Sequence, residues 1–173
     1  TRLARNDLGS AITISDADGV FLGTFGAPDF VGDSLRPLTW IDSSTLAVVS
    51  TSVSGVQELQ ILDVRDPNDP VIGSRRSEAG HTFLAADVRA DGNILVVTAI
   101  DTGDETAADV IAEVVDISPG EVLVDFNLPD DAYDADYDAS GRFVVVARSN
   151  GQLDWYGGGQ RGTLATGFFS ADW

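Results

Sequence analysis

The sequence predicts an all-β fold of repeated four-stranded antiparallel sheets, and three observations carry that expectation. The first is a repeat. Asp87-Val-Arg-Ala-Asp-Gly-Asn-Ile-Leu-Val-Val returns as Asp136-Tyr-Asp-Ala-Ser-Gly-Arg-Phe-Val-Val-Val, and more loosely as Thr39-Trp-Ile-Asp-Ser-Ser-Thr-Leu-Ala-Val-Val. Leu46 to Ile94 is 48 residues and Ile94 to Phe143 is 49, a period at which each unit buries its apolar face only by stacking on the next. The second is the split of the 28 acidic residues into 23 Asp and 5 Glu. Asp favours turns and is depleted from strand interiors, so this excess asks for many tight turns. The third is that no long apolar stretch follows a 3.6-residue period.

The elements follow in order. Residues 1–25 read as the tail of a second strand plus a third and a fourth, because Leu3-Ala-Arg matches Val146-Ala-Arg. The first full unit places strands at about 35–41, 46–51, 56–64 and 70–76. The second places them at 82–88, 94–100, 108–117 and 121–128, and the third at 132–138, 142–148, 152–156 and 163–168. Ser43-Ser44, Asp91-Gly92 and Ser140-Gly141 supply the turn between first and second strands. Pro67-Asn68-Asp69-Pro70 and Ser118-Pro119-Gly120 supply the turn between third and fourth. The second strands, Leu46-Ala-Val-Val, Ile94-Leu-Val-Val and Phe143-Val-Val-Val, are continuously apolar rather than alternating. A strand covered on both faces has no need to alternate. A sheet sandwiched between two like sheets is the arrangement inside a β-propeller. The expected fold is therefore a propeller, or a fragment of one, with four-stranded blades at about 35–76, 77–128 and 129–168. Residues 168–173 open a further unit, since Ala171-Asp-Trp173 matches Ala135-Asp-Tyr137, and pair with 1–25 as one blade split between the termini. The 173 residues then form a single domain, or part of a larger ring whose open flanks would favour self-association.

Trp40-Ile-Asp-Ser-Ser, Val88-Arg-Ala-Asp-Gly and Tyr137-Asp-Ala-Ser-Gly resemble degenerate copies of the Trp-Ser-Pro-Asp-Gly signature of TolB-like and WD-repeat-like propellers. Gly80-His81 sits where WD repeats carry a Gly-His pair. Asp16, Asp63 and Asp116 end third strands where those repeats carry Trp-Asp, with the Trp missing each time. The segment from Leu59 to Ser74 is similar to the LVIVP repeat of bacterial and archaeal surface-protein propellers. The resemblance implies architecture, and propeller families range from enzymes to scaffolds.

Composition excludes several functions. All 10 cationic residues are Arg and the net charge is −18, so neither nucleic acid nor an anionic membrane surface is an attractive partner. The acidity suits a basic protein or peptide, or cations. With no Cys there is no disulfide and no thiolate ligand. No segment approaches the ~18 apolar residues of a membrane-spanning helix. The chain opens in mid-pattern at Thr1, which reads as an internal piece of something longer, and cytoplasmic and extracellular locations both stay open.

Aligning the repeats puts Asp87, Asp136 and Asp172 at one equivalent position of successive first strands, with Thr39 at the fourth. First strands line a propeller's channel, so these carboxylates would form a ring, and a hard cation such as calcium would relieve their repulsion. Alternatively each Asp accepts hydrogen bonds from neighbouring amides. Asp134, Asp136 and Asp138 alternate on one face, but Ala139 and Val145 break the EF-hand pattern there, leaving an acidic rim with Asp130 and Asp131. Gly157 to Gly162 formally matches a dinucleotide fingerprint, yet Thr163-Leu-Ala-Thr continues as a strand, so the segment reads as a hairpin turn. His81, the single His, lacks triad partners and reads as a structural residue linked to the loop around Asp101 or Asp104.

Three functions compete. The first is a non-catalytic protein- or peptide-binding module, with no cofactor, presenting a loop face at 26–34, 51–55, 77–81, 101–107, 129–131 and 149–151. Its candidate residues are His81, Asp101, Asp104, Glu105, Asp130, Asp131 and Tyr133, an acidic surface with an aromatic suited to a basic partner. The second is a lactonase- or hydrolase-type propeller enzyme using the channel carboxylates and a bound cation. The third is the sensor domain of an actinobacterial multidomain regulator, suggested by the Lys-free composition. The binding module is the favoured reading.

Overall fold

The computed structural model describes residues 2–7, 10–26, 34–77, 79–89, 91–101, 108–115, 122–138, 140 and 142–167. Its described residues form 15 strands in four antiparallel sheets, with no helix among them. No described helix is therefore long and apolar enough to cross a membrane. The chain divides into two compact units of two sheets each.

In the first unit, β1 (Arg2–Asp7), β2 (Ala11–Asp16) and β3 (Phe21–Gly26) form a three-stranded meander. The strands β4 (Ser34–Trp40), β5 (Thr45–Thr51), β6 (Gln57–Asp63) and β7 (Val71–Arg76) form a four-stranded one. The second unit holds β8 (His81–Val88), β9 (Ile94–Asp101), β10 (Ala108–Val115) and β11 (Val122–Leu128). Beside them lie β12 (Ala132–Tyr137), β13 (Val144–Arg148), β14 (Gln152–Gly157) and β15 (Gln160–Thr166). Each sheet follows chain order. Three full blades and the three N-terminal strands of a fourth thus match the repeat read from the sequence. The segment 168–173, expected to complete the fourth, lies outside the described residues.

The apolar second strands are buried end to end: Leu46 to Val49, Ile94 to Val97 and Val144 to Ala147. Their two faces serve different neighbours. Val144 and Val146 join Leu95, Val97, Val110 and Ala135 between the two sheets of the second unit. Val145 and Ala147 lie on the other face of β13 with Leu153 and Tyr133. In the first unit Leu46 and Val48 pack with Ile12, Ile14, Phe25 and Leu62. Polar ties reinforce that stacking, as Arg2 Nη1 donates to the Val64 carbonyl at 2.6 Å and Asn6 Nδ2 to the Leu35 carbonyl at 2.5 Å.

Several of the aspartates close turns. Asp42 Oδ1 accepts the Ser44 amide at 2.6 Å and the Thr45 amide at 2.8 Å. Asp16 does the same for Asp18 and Val20. At the repeat-equivalent turn, Asp138 Oδ1 accepts from the Arg142 amide at 2.9 Å and from that of Phe143 at 2.8 Å, while its Oδ2 takes the Ser140 hydroxyl at 2.6 Å. Strand β12 ends at Tyr137, so Asp138 folds back onto its own turn instead of extending an acidic strand face.

Two features differ from the sequence reading. The hairpin after Gly157 turns on Gly158 and Gly159 alone, at φ of 59° and 75°, so β15 starts at Gln160 and not near 163. Two successive positive φ values define the tight turn whose twist suits a hairpin. In addition, each first strand carries a bulge where it meets the second, between Pro37 and Thr39, Phe83 and Ala85, and Ala132 and Asp134. A bulge adds twist and interrupts alternation, which makes Tyr133 the unpaired residue of its strand.

Gly157 has no room for a side chain: a Cβ would overlap the Phe143 ring and lie 2.8 Å from the Arg142 carbonyl. Gly157→Ala should therefore destabilise the protein by about 1–3 kcal/mol, the usual cost of overpacking, read as a lower urea midpoint. The Asp138 carboxyl is held down at about 2, first by the Ser140 hydroxyl and then by the Phe143 amide. A depressed native pKa gives stability that is present above the ordinary 3.8 and lost as pH falls through about 2. Urea midpoints measured from pH 4 to pH 2 should fall more steeply for the native sequence than for Asp138→Ala.

Candidate functional site

Antiparallel alternation gathers the start of β8, the end of β9, the turn before β12 and the end of β13 at one end of the second unit. His81 opens β8, and the Asp101 amide donates to the Gly80 carbonyl at 2.9 Å, so the Gly-His pair and Asp101 are neighbours. The turn before β12 is clamped twice. Arg148 Nε donates to Asp131 Oδ1 at 2.6 Å, and the Ser149 amide donates to the Asp131 carbonyl at 2.9 Å. Arg148 also reaches Asp154 Oδ2 at 3.4 Å, and that buried carboxylate accepts from Gln152 Nε2 and Thr163 Oγ1. Asp131 is thus a structural anion, whereas Asp130 beside it is exposed and makes no ion pair with a described residue. Tyr133 is partly buried against Val145, Ala147 and Leu153. Asp104 and Glu105 lie outside the described residues.

Of the proposed channel ring, Asp87 and Asp136 lie in the first strands β8 and β12, which pack on each other, and Asp172 lies outside the described residues. Asp87 Oδ2 accepts the Tyr137 amide at 2.8 Å, a bond that ties one blade to the next. Among the described residues no three His, Cys, Asp or Glu side chains gather as a metal site would.

Sequence reasoning missed a concavity of the second unit. A cavity of about 550 Å³ lies between its two sheets, lined by Arg89, Arg142, Arg161, Tyr137, Tyr156 and Phe126, with Val114, Val144, Asn127, Gln160 and the glycine turn. Phe126 and Tyr156 meet with ring centroids 6.2 Å apart. Burial pushes both Tyr137 and Tyr156 hydroxyls upward, the Arg89 guanidinium opposing the shift at Tyr137. Arg89 and Arg142 come from two separate turns and Arg161 from the start of β15, so no local motif announced them. The available signal was that three of only 10 cations sit in or beside hairpin turns that meander topology sends to one end of the sheets. On the outer face of β12–β15, Phe143 and Leu164 stay 40% and 50% exposed beside Trp155.

No protein-family model matches the chain, and no curated protein matches it by sequence. Solved structures do. The β-propeller domain of Cps50 (Swd1) from Myceliophteria thermophila aligns at a TM-score of 0.60 and 15% identity, over 90% of this chain and 48% of that one. The Pyrococcus horikoshii acylaminoacyl peptidase aligns at 0.63 and 14%, over 95% and 30%. The Dos1 propeller aligns at 0.51 and 13%, over 90% and 52%. The fold is that of a β-propeller fragment, and the chain spans about half or less of the chains it matches.

Because the Asp87 carboxylate accepts a buried-edge amide, Asp87→Ala should cost about 1–3 kcal/mol, the penalty of stranding a donor. Asp87→Asn keeps an acceptor oxygen and should cost less. A calcium-dependent rise in melting temperature that Asp87→Asn abolishes would instead assign the carboxylate to a cation.

Proposed function

We propose that this chain is a non-catalytic binding module that offers the loop end of its second unit to a basic protein or peptide. The observation that carries the reading is the Arg148–Asp131 clamp, which fixes a turn whose next residue, Asp130, is exposed to solvent. A rigid backbone presenting a carboxylate beside a partly buried tyrosine loses little entropy when a cationic side chain docks. Asp101 lies at the same end, next to Gly80-His81, and the net charge of −18 would speed the approach of a cationic partner. The likeness to the Cps50 propeller domain supports architecture of this kind. The finer TolB-like, WD-repeat-like and LVIVP-like affinities belong to the same proposal and rest on the Trp40-Ile-Asp-Ser-Ser and Leu59–Ser74 segments.

The test is fluorescence anisotropy with a labelled Arg/Lys-rich peptide against a neutral peptide of equal length. Asp130→Asn and Asp101→Asn should each weaken binding roughly threefold to tenfold, and binding should fall as salt rises, as expected for exposed interfacial charges. Equal affinity for the neutral peptide, or no change in either variant, would reject the basic partner.

A further inference from the structure

The interblade cavity of the second unit stands apart from the acidic loop end. In a chain with 28 acidic residues, no Asp or Glu is among the described residues that line it, while three of the 10 arginines are. Two of them are uncommitted: neither Arg142 nor Arg161 forms a side-chain hydrogen bond or ion pair with a described residue. Arg89 is partly engaged, with its Nε 3.5 Å from Asp91 Oδ2 and a side-chain hydrogen bond to Tyr137. That arrangement is unusual where carboxylates outnumber guanidiniums almost three to one, since a guanidinium within reach of an acid ordinarily pairs with it.

The remaining walls supply the rest of a small-molecule site. Phe126 and Tyr156 form a tilted aromatic pair, and Tyr137 adds a third ring. Because burial raises both tyrosine hydroxyls, each stays protonated near neutral pH and can donate. At Gly158 and Gly159 the space a Cβ would occupy is empty, so that wall has no side chains between ligand and backbone. A volume of about 550 Å³ falls within the range of sites that enclose small molecules. A guanidinium presents a planar fork matched to two oxygens of a carboxylate or phosphate, and aromatic walls accept a flat ring.

We propose that this cavity binds a small organic anion, a carboxylate or phosphate joined to a planar ring, with Arg142 and Arg161 holding the oxyanion and Phe126 and Tyr156 flanking the ring. The site is independent of the peptide-binding reading, which concerns the other end of the same sheets. Isothermal titration calorimetry on the 173-residue chain tests it with four probes: AMP, benzoate, adenosine and inorganic phosphate. At least one of the two ring-bearing anions should bind saturably at one site, at least tenfold tighter than adenosine or phosphate. Binding of AMP alone assigns the oxyanion as phosphate, and binding of benzoate alone assigns it as carboxylate. Arg142→Ala and Arg161→Ala should each weaken that binding roughly tenfold, as loss of a charge-assisted contact does, and Arg65→Ala, at an exposed pair with Asp63 in the first unit, should not. Thermal melts confirm that the variants fold, and Arg142→Lys and Arg161→Lys replace any that does not. No saturable heat from either anion would overturn the proposal. So would adenosine binding as tightly as AMP, or affinity unchanged in the Arg142→Ala/Arg161→Ala double variant.

Discussion

Everything in this fold depends on second strands that must be covered on both faces. Val144 and Val146 need one sheet while Val145 and Ala147 need another surface. A fully buried Val or Leu side chain contributes about 1.5–3 kcal/mol relative to exposure. A blade whose central strand is apolar all round therefore cannot persist alone, and its neighbours are obligatory. Polar links accompany this stacking and cross from sheet to sheet. Arg2 reaches Val64 in one unit, and Asp87 reaches the Tyr137 amide in the other. Hydrophobic stacking brings the sheets together, and these directional bonds fix one sheet against the next.

The second constraint is how an unusually acidic chain uses its charge. Asp42 and Asp138 each accept several hydrogen bonds from their own turns, which hold both carboxyls below their ordinary range. A carboxylate so bonded is a backbone device, replacing the turn-closing partner that a longer side chain could not supply. Asp131 and Asp154 share Arg148 in the same spirit. These carboxylates keep their charge, and the bonds they make to their own turns orient them toward backbone rather than toward solvent.

The blade pattern was legible because it is written locally. A period of 48–49 residues, Asp- and Gly-bearing turns and unbroken Val runs are all visible within short windows, and strand bounds read from them fall within a few residues of the observed ones. The bulges were not legible. Leu38, Leu84 and Tyr133 carry no residue type that marks an extra residue in a first strand, since the bulge answers a need for twist set by sheet stacking. The start of β15 was misplaced because the run of glycines was read as a long turn, whereas only Gly158 and Gly159 take positive φ. His81, Asp101, Asp130 and Asp131 lie at one end of the second unit, where antiparallel alternation from the predicted strands puts them. The arginine-lined cavity had no sequence signature, because residues 89, 142 and 161 meet only after two sheets have stacked.

That last point bears on how an anion site can exist in such a chain. At physiological ionic strength exposed charges are screened beyond about 8 Å, so a distant surplus of carboxylates matters less than the few groups at the mouth of a cavity. What a local site requires is exclusion, and the fold provides it by geometry. Asp87 turns to the Tyr137 amide, Asp138 curls onto its own turn, and Asp154 faces Gln152 and Thr163. Each of these acids lies on or next to a strand that borders the cavity, and each is bonded to a partner of its own. Hydrogen bonding that serves the turns and blade contacts thereby leaves Arg142 and Arg161 without an ion pair to any described acid. The acidic surroundings would then act as a filter, since a polyanion meets net repulsion across the surface while a compact anion can be satisfied by two guanidiniums alone.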